Sequence, residues 1–327
     1  MLHTCQPNFV QTNHTVEMVD NSIEGVEILT IQEAITKFKV ISEKFGSVFE
    51  RLDKKFNPSP SGGYLIWIKK NIKVELPIQT CFYLTEDKLT QFPHNLIYLE
   101  EGSTVEIINL CGDCGLGVSG VHAGCTEIIL ESNSSLKYTQ VHSWNSNIKV
   151  LPMSGAILED NANFASNFIS LEPVMLSKMC PSTILKGDHS SAQCKSFVYN
   201  SQNAVQDIGA RLIFEGKNTR GTIISKTVSE SGEFTSRGIL EAYRTPCVGH
   251  LECHGLILSD NTKLKAVPEL SSSTKNASLT HEASIGYLKN EKIEYLQSRG
   301  LDLEKAISLL ILEFLDLDEL YVISPLF

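Results

Sequence analysis

The middle of the chain alternates apolar and polar residues in short segments, as in residues 249–258, GHLECHGLIL. Successive side chains on an extended strand point to opposite faces. One face of this strand therefore carries Leu251, Cys253 and Ile257. The other face carries the polar side chains His250, Glu252 and His254. The pattern predicts a strand whose cysteine faces an apolar layer.

Turn residues separate similar strands at intervals of roughly 28 to 30 residues through positions 64–287, which is typical of stacked β coils. We predict a mainly β protein with a right-handed parallel β-helix core. A shift of 28 residues superposes Leu251 on Leu279 and Cys253 on His281. Equivalent positions on neighbouring coils lie about 4.8 Å apart, so Cys253 and His281 are expected to stack. An antiparallel sandwich with a coincidental repeat is the alternative.

The pattern changes at both ends of the chain. Residues 1–60 are predicted to form a small N-terminal α/β segment, with one helical pattern over residues 31–56, and a Pro/Ser/Gly-rich linker follows. The β-helix core is expected over residues 61–288. Residues 289–327 are predicted to form a C-terminal helical subdomain, with Asn290 and Asp302 as N-caps and Gly300 at a helix end.

The second C-terminal helix carries apolar residues on most of its sides, from Leu303 to Leu315. Such a helix needs cover beyond its own domain. One interpretation is a docking surface for another protein. The other is that the final residues 321–327, YVISPLF, fold back over the helix.

Composition and charge narrow the possible partners. The chain has 38 acidic and 28 basic residues and a net charge of -10, so neither nucleic acid nor a membrane is an expected partner. The N-terminus lacks the pattern of a secretory signal, and the longest apolar stretch is too short to cross a bilayer. We therefore expect a cytoplasmic protein, with its nine cysteines reduced.

Two groups of residues offer soft ligands. Cys253 is either a buried structural thiol or a metal ligand, and the residues alone favour the structural role. Cys111 and Cys114 form a CxxC in a glycine-rich stretch, with His122 and Cys125 following. That spacing fits zinc, a cluster or redox exchange, but no second CxxC completes a structural zinc site.

Several segments resemble the SufB/SufD proteins, the scaffold subunits of SUF-type iron–sulfur cluster assembly. The run NASLTHEASIGYLKNEKIEYLQSRGLDLEKAI is similar to the C-terminal signature of that family. Four further blocks follow the family order: LKYTQVHSW, CPSTILKGDHS, GKNTRGTIISK and SRGILEA. The resemblance covers roughly residues 100 to 315. It implies a β-helix core with flanking helices and a SufC-like ABC ATPase bound through the C-terminal helices.

Within that family the chain resembles SufB. HLECHGLIL matches the SufB segment with its cysteine, and LTHEAS matches the SufB His-Glu, where SufD proteins read His-Gly. The resemblance implies that Cys253, His281 and Glu282 hold a transient iron–sulfur cluster near a subunit interface. Because strand alternation places His281 and Glu282 on opposite faces, both can serve one cluster only if the chain bends or a partner contributes.

Two departures from SufB favour a minimal system built on a homodimer. The position of the SufB cysteine that accepts sulfur is taken by Leu158, and the long N-terminal region of SufB proteins is lacking. Sulfur is then expected to enter in another form, for example as free sulfide.

No catalytic residues are assigned, because the chain has no GxxxxGK[ST] loop and the partner is expected to hydrolyse ATP. A SufD-like structural subunit without its own cluster is one alternative. A polysaccharide-active β-helix enzyme is a less favoured one, with candidate groups at Glu131, Asp188, Lys226 and Arg237.

Overall fold

A computed structural model describes residues 6–56, 60–244 and 246–316. Strands make up 53% of the structure and helices 13%, and the strands stack into a β-solenoid of about eight coils. The predicted mainly β solenoid with C-terminal helices is confirmed. Its right-handed sense stays a prediction, as do the three domain boundaries.

Two sheets form the walls of the solenoid. Sheet A contains β1 (Phe9–Thr12), β2 (Thr15–Val19), β5 (Ile78–Tyr83), β8 (Thr104–Gly112), β11 (Ser135–Ser143), β14 (Asn163–Ser170), β17 (Ser191–Asn200), β19 (Thr219–Ser229), β21 (Cys247–Ile257) and β23 (Ala277–Tyr287). Sheet B contains β3 (Val26–Thr30), β4 (Tyr64–Ile68), β6 (Leu89–Gln91), β7 (His94–Leu99), β9 (Gly120–His122), β10 (Cys125–Leu130), β12 (Ile148–Val150), β13 (Met153–Leu158), β15 (Leu176–Met179), β16 (Ser182–Leu185), β18 (Val205–Phe214), β20 (Gly232–Ala242) and β22 (Thr262–Ser272).

Neighbouring coils pair in parallel with a nearly constant register. Ser135 pairs with Asn163 and Asn163 with Ser191, each step being 28 residues. The first strands also join these sheets, because β1 pairs with β5 in parallel and β3 pairs with β4 in antiparallel fashion. The N-terminal strands therefore continue the two walls of the solenoid.

The last coil is longer, and it corrects one predicted contact. Two residues, 230–231, separate β19 from β20, but four residues, 258–261, separate β21 from β22. The step from β21 to β23 is consequently 30 residues, so Leu251 pairs with His281 and Cys253 pairs with Ala283. The predicted pairing of Cys253 with His281 is wrong by two residues. A shift of two residues along a strand returns to the same face, so His281 still points inward.

The interior of the solenoid is apolar at most positions but also holds two histidines. His122 and His142 are buried beside Trp144, with ring centroids 5.1 and 6.2 Å from the indole. His122 Nδ1 lies 2.8 Å from Gln91 Oε1. Burial lowers the pKa of His122 to about 4 and that of His142 to about 3. Both rings are therefore neutral at physiological pH.

Three short helices pack on the outer face of sheet B, in place of one helical pattern. They are α1 (Ile31–Lys37), α2 (Lys39–Lys44) and α3 (Ser47–Arg51). The chain becomes extended at Phe38 and Phe45, and Gly46 adopts a φ of 85° in the left-handed region. The buried Glu127 carboxylate accepts hydrogen bonds from the backbone N–H of Gly46 and Val48, at 2.7 and 2.9 Å. It anchors the start of α3 to β10.

Two C-terminal helices, α4 (Asn290–Ser298) and α5 (Leu303–Leu315), follow β23. Lys289 rather than Asn290 is the N-cap of α4, whereas Asp302 caps α5 as predicted by accepting from the Lys305 N–H at 2.8 Å. Gly300 ends the first helix with a φ of 97°. Helix α5 packs against β19. The predicted alternative, in which residues 321–327 cover this helix, lies outside the described residues.

Candidate functional site

Strand β21 separates the candidate ligands into two groups. Cys253 points into the solenoid and is only 3% exposed, next to the fully buried Leu251. His250, Glu252 and His254 point outward and are partly exposed. The alternation predicted from the sequence is confirmed at each of these positions.

The Cys253 thiol lies in a buried, weakly polar environment. Its nearest polar partner is Ser236 of β20, whose hydroxyl donates to Sγ at 3.4 Å across the interior. Burial raises the pKa of the Cys253 thiol, and the Ser236 hydrogen bond opposes that rise. The thiol is therefore protonated at neutral pH, and a bound metal would have to displace its proton.

The other two predicted ligands lie on opposite faces of β23. His281 points inward, on the strand next to Cys253 and offset from it by two residues. Glu282 pairs with Glu252 and points outward. The structure therefore brings Cys253 and His281 to one side of the sheet and Glu282 to the other. The role of all three as cluster ligands stays a prediction.

The end of the solenoid beside Cys253 is open in the described part of the chain. Strands β22 and β23 are the last members of their sheets, and each pairs with only one described strand. Several apolar side chains are exposed here: Leu270, Ile285 and Tyr287. Such an edge presents unpaired backbone groups that can bind another strand. The interior position of Cys253 thus lies one coil below an unprotected edge.

The CxxC stretch does not assemble into a site. Cys111 is buried inside the solenoid, whereas Cys114 is exposed in a turn with a φ of 55°. His122 is bonded to Gln91 in the interior. Cys125 lies on the other face of β10, where burial raises its pKa to about 11. Cys114 and Cys125 therefore lie outside the interior that holds Cys111 and His122.

Two other predictions can be placed in the fold. Leu158 is fully buried on the inner face of β13, paired with Leu130 and Leu185. The groups considered for a polysaccharide enzyme are dispersed. Lys226 lies in sheet A and pairs with Asp316, while Arg237 lies in sheet B and pairs with Asp207. Lys226 and Arg237 therefore lie on different walls of the solenoid.

The outward cluster on β21 received no functional role from the sequence. His250 Nε2 lies 3.2 Å from Glu252 Oε1, and His254 Nε2 lies 3.3 Å from Glu252 Oε2. The signal was visible as HxExH, because alternate residues of a strand share a face. Across residues 6–56, 60–244 and 246–316, no group of three or more His, Cys, Asp or Glu side chains is arranged to hold one metal ion in common. No described helix is long and apolar enough to cross a membrane.

Comparison with known proteins supports the resemblance. Residues 82–314 match the model of the SufBD core domain of SUF-system iron–sulfur cluster assembly proteins. An iron–sulfur cluster assembly SufBD family protein of Archaeoglobus fulgidus is 33% identical over 95% of this chain and 84% of its own length. One from Methanothermobacter thermautotrophicus is 31% identical over 95% of this chain and 78% of its own.

A more distant relative comes from a bacterium. A SufBD family protein of Staphylococcus epidermidis is 29% identical over 85% of this chain and 61% of its own length. The family model spans most of the solenoid and both C-terminal helices. The chain therefore belongs to the SufBD family of iron–sulfur cluster assembly proteins.

Proposed function

We propose that this protein is a scaffold on which a transient iron–sulfur cluster is assembled, with Cys253 as its thiolate ligand. The supporting observation is the position of Cys253, buried one coil below the open end of the solenoid and beside the inward-pointing His281. Thiolates hold iron–sulfur clusters, and a histidine nitrogen is a weaker substitute that allows release. Glu282 is the third proposed ligand, and its outward direction requires a contribution from a second subunit or a bend in β23.

A second copy of this chain is the proposed cover for the open end. The exposed edges of β22 and β23 carry apolar side chains where an isologous contact would place the same strands of both copies together. Such a homodimer would protect the interior around Cys253 from water. The absence of a cysteine at Leu158 is consistent with a single type of scaffold subunit that takes its sulfur by another route.

A SufC-like ABC ATPase is the second proposed partner. Helix α5 buries Ala306, Leu310 and Leu315 against the solenoid, but Leu309 and Leu312 remain about half exposed. Two leucines on the free face of one helix form an apolar surface suited to a partner protein. The scaffold itself is proposed to have no enzymatic activity, and ATP hydrolysis is assigned to this partner.

Anaerobic reconstitution with ferrous iron and sulfide tests the scaffold function. We expect the purified full-length protein to gain the visible absorption of an iron–sulfur cluster. Cys253→Ser should remove most of it, because the strongest ligand is lost. Cys114→Ser is the matched control, since that thiol is exposed and remote from the open end, and it should retain the cluster.

Two results would contradict the assignment. Loss of the cluster in Cys114→Ser but not in Cys253→Ser would place the ligands in the CxxC turn. Failure of the wild-type protein to form any cluster, with the ATPase present, would favour the SufD-like role of a structural subunit. Circular dichroism of each variant shows that its fold is retained.

A further inference from the structure

The outward cluster on β21 is unusual in pairing two histidines with one carboxylate on the same strand face. Glu252 lies between His250 and His254, and its two oxygens face one imidazole each, at 3.2 and 3.3 Å. The three side chains are 23% to 36% exposed. They are accessible to a small ion but partly removed from water, which strengthens electrostatic attraction.

Each imidazole is also held from its other side. His250 Nδ1 lies 2.7 Å from Thr280 Oγ1, and His254 Nδ1 lies 2.8 Å from Ser284 Oγ, both hydroxyls belonging to β23. In either tautomer each ring contacts one hydroxyl and one carboxylate oxygen. With Nδ1 donating to the hydroxyl, Nε2 presents its lone pair to an ion that takes the place of the proton shared with Glu252. Orientation of a ligand histidine through its second nitrogen is usual in metal sites.

The surrounding charges favour a cation. Glu282 pairs with Glu252 across the strands and adds a second outward carboxylate. The nearest basic residue on β19 is Lys226, the register partner of His254. Its ammonium lies 3.3 Å from the carboxylate of Asp316, so this lysine is already paired. Two outward carboxylates on neighbouring strands therefore attract a cation to this face.

The distances suit a coordinated ion. An ion bonded at about 2.1 Å to a nitrogen and an oxygen holds those two atoms roughly 3.0 to 3.4 Å apart. Both Nε2–Oε pairs fall in this range. Glu252 can therefore bridge two positions, each with one histidine, and water can supply the remaining ligands. Imidazole and carboxylate together suit Fe²⁺, Zn²⁺ and Co²⁺ better than Mg²⁺ or Ca²⁺.

We propose that His250, Glu252 and His254 bind divalent transition-metal ions on the outer face of β21, opposite Cys253, with one histidine and one oxygen of Glu252 at each of two positions. The binding of an ion is inferred only from the geometry of these three side chains. That the ion is ferrous iron held for cluster assembly rests on the function proposed above. A site of few, exchangeable nitrogen and oxygen ligands is suited to iron that must later move. No electron transfer or sulfur is needed for this binding step.

Anaerobic titration of the full-length protein with Co²⁺, in the absence of sulfide, tests the site. Co²⁺ reports its nitrogen and oxygen ligands through its visible absorption. We expect saturable binding to the wild-type protein. Glu252→Gln keeps the size of the side chain but cannot bridge two cations, and His254→Gln removes one imidazole. Each should weaken binding on the order of tenfold or more.

Two controls make the result decisive. Cys114→Ser should bind Co²⁺ as the wild type does, because this exposed thiol lies in a distant turn. His189→Gln replaces a histidine in a distant turn and should also bind normally. Wild-type affinity in Glu252→Gln and His254→Gln would overturn the proposal. So would loss of Co²⁺ binding in Cys114→Ser or His189→Gln, since the ion would then lie elsewhere in the protein.

The outcome is separable from that of the scaffold experiment. One outcome is that Co²⁺ binds at His250, Glu252 and His254 while no iron–sulfur cluster forms on reconstitution. In that case the proposed metal site is supported and the proposed scaffold function is contradicted. If reconstitution succeeds while the outer cluster binds no Co²⁺, only the metal site is wrong. For iron, gel-filtered protein preloaded with Fe²⁺ should retain the ion in the wild type and lose it in Glu252→Gln.

Discussion

Leu251 and His281 occupy paired positions on β21 and β23, so the imidazole continues the inner face of the solenoid to its last strand. In each earlier strand of the solenoid wall in sheet A, the next strand lies beside the residue that is equivalent to His281. At β23 no described strand follows, and the histidine is exposed. The chemistry proposed for Cys253 therefore depends on how this end of the molecule is covered.

Homodimer formation at the open end is the first prediction. Tyr287→Asp and Ile285→Asp place a charge among exposed apolar side chains of the last strand, and we expect either change to give a monomer by light scattering. Val248→Asp is the control, because Val248 is also exposed but lies on the outer face of β21. A wild-type protein that is monomeric with and without the ATPase would contradict the prediction.

The second prediction is that the ATPase docks on the free face of α5. Leu309→Asp and Leu312→Asp should abolish co-purification with a SufC-like protein, while surface substitutions of this kind usually leave stability within about 0.5 kcal/mol. Leu310→Asp should instead destabilise the packing of α5, because Leu310 is buried. Undiminished co-purification of both surface variants would place the ATPase elsewhere.

The anchor between α3 and the solenoid should be a large contributor to stability. Glu127 accepts from two backbone N–H groups and lies 2.7 Å from His94 Nε2, all in a buried environment. Glu127→Gln keeps the volume but loses acceptors, and we expect the free energy of unfolding to fall by about 3–5 kcal/mol in denaturant titrations.

The control for this change is Glu106→Gln. Glu106 forms a partly exposed ion pair with Lys137 at 2.9 Å, and loss of such a pair should cost at most about 1 kcal/mol. Equal effects of the two substitutions would show that the buried carboxylate is not a special anchor.

Acid should destabilise the protein through its interior histidines. The folded pKa of His122 is about 4 and that of His142 about 3, both below the ordinary value of about 6.5. Between the folded and the unfolded pKa values, the unfolded chain binds more protons than the folded one. The stabilisation from the neutral histidines is therefore complete above about pH 6.5 and is lost as the pH falls. The loss should reach roughly 3 kcal/mol per histidine near pH 4.

Denaturant titrations at several pH values check this dependence. His142→Phe removes one of the titrating groups and should flatten the curve between about pH 6.5 and pH 4. An unaltered slope in His142→Phe would mean that this imidazole is not kept neutral by burial.

The sequence predicted those parts of the fold that depend on local pattern. Alternation along residues 249–258 correctly separated the inward Cys253 from the outward Glu252, because strand geometry fixes the face of each residue. The register of the last coil was not predictable in this way. It depends on a turn of four residues at 258–261 where the preceding coil has two at 230–231, and turn length varies freely at a surface.

The candidate site was predictable only in part for a similar reason. The resemblance indicated Cys253, His281 and Glu282 as one group, but strand geometry divides them between two faces. Conversely, HxExH was visible in the sequence, while the orienting hydroxyls of Thr280 and Ser284 come from a strand 30 residues away. Contacts between coils require the register, which the local pattern does not contain.

The two-residue alternation of β21 also restricts how this strand can change in length. Insertion of one residue ahead of Glu252 would turn the remaining strand over, so that its carboxylate faced the core and Cys253 faced solvent. Both groups of ligands would be lost together, although no ligand had been substituted. Single insertions and deletions should therefore be tolerated in turns such as residues 258–261 and rejected within β21, which a scan of one-residue insertions would reveal.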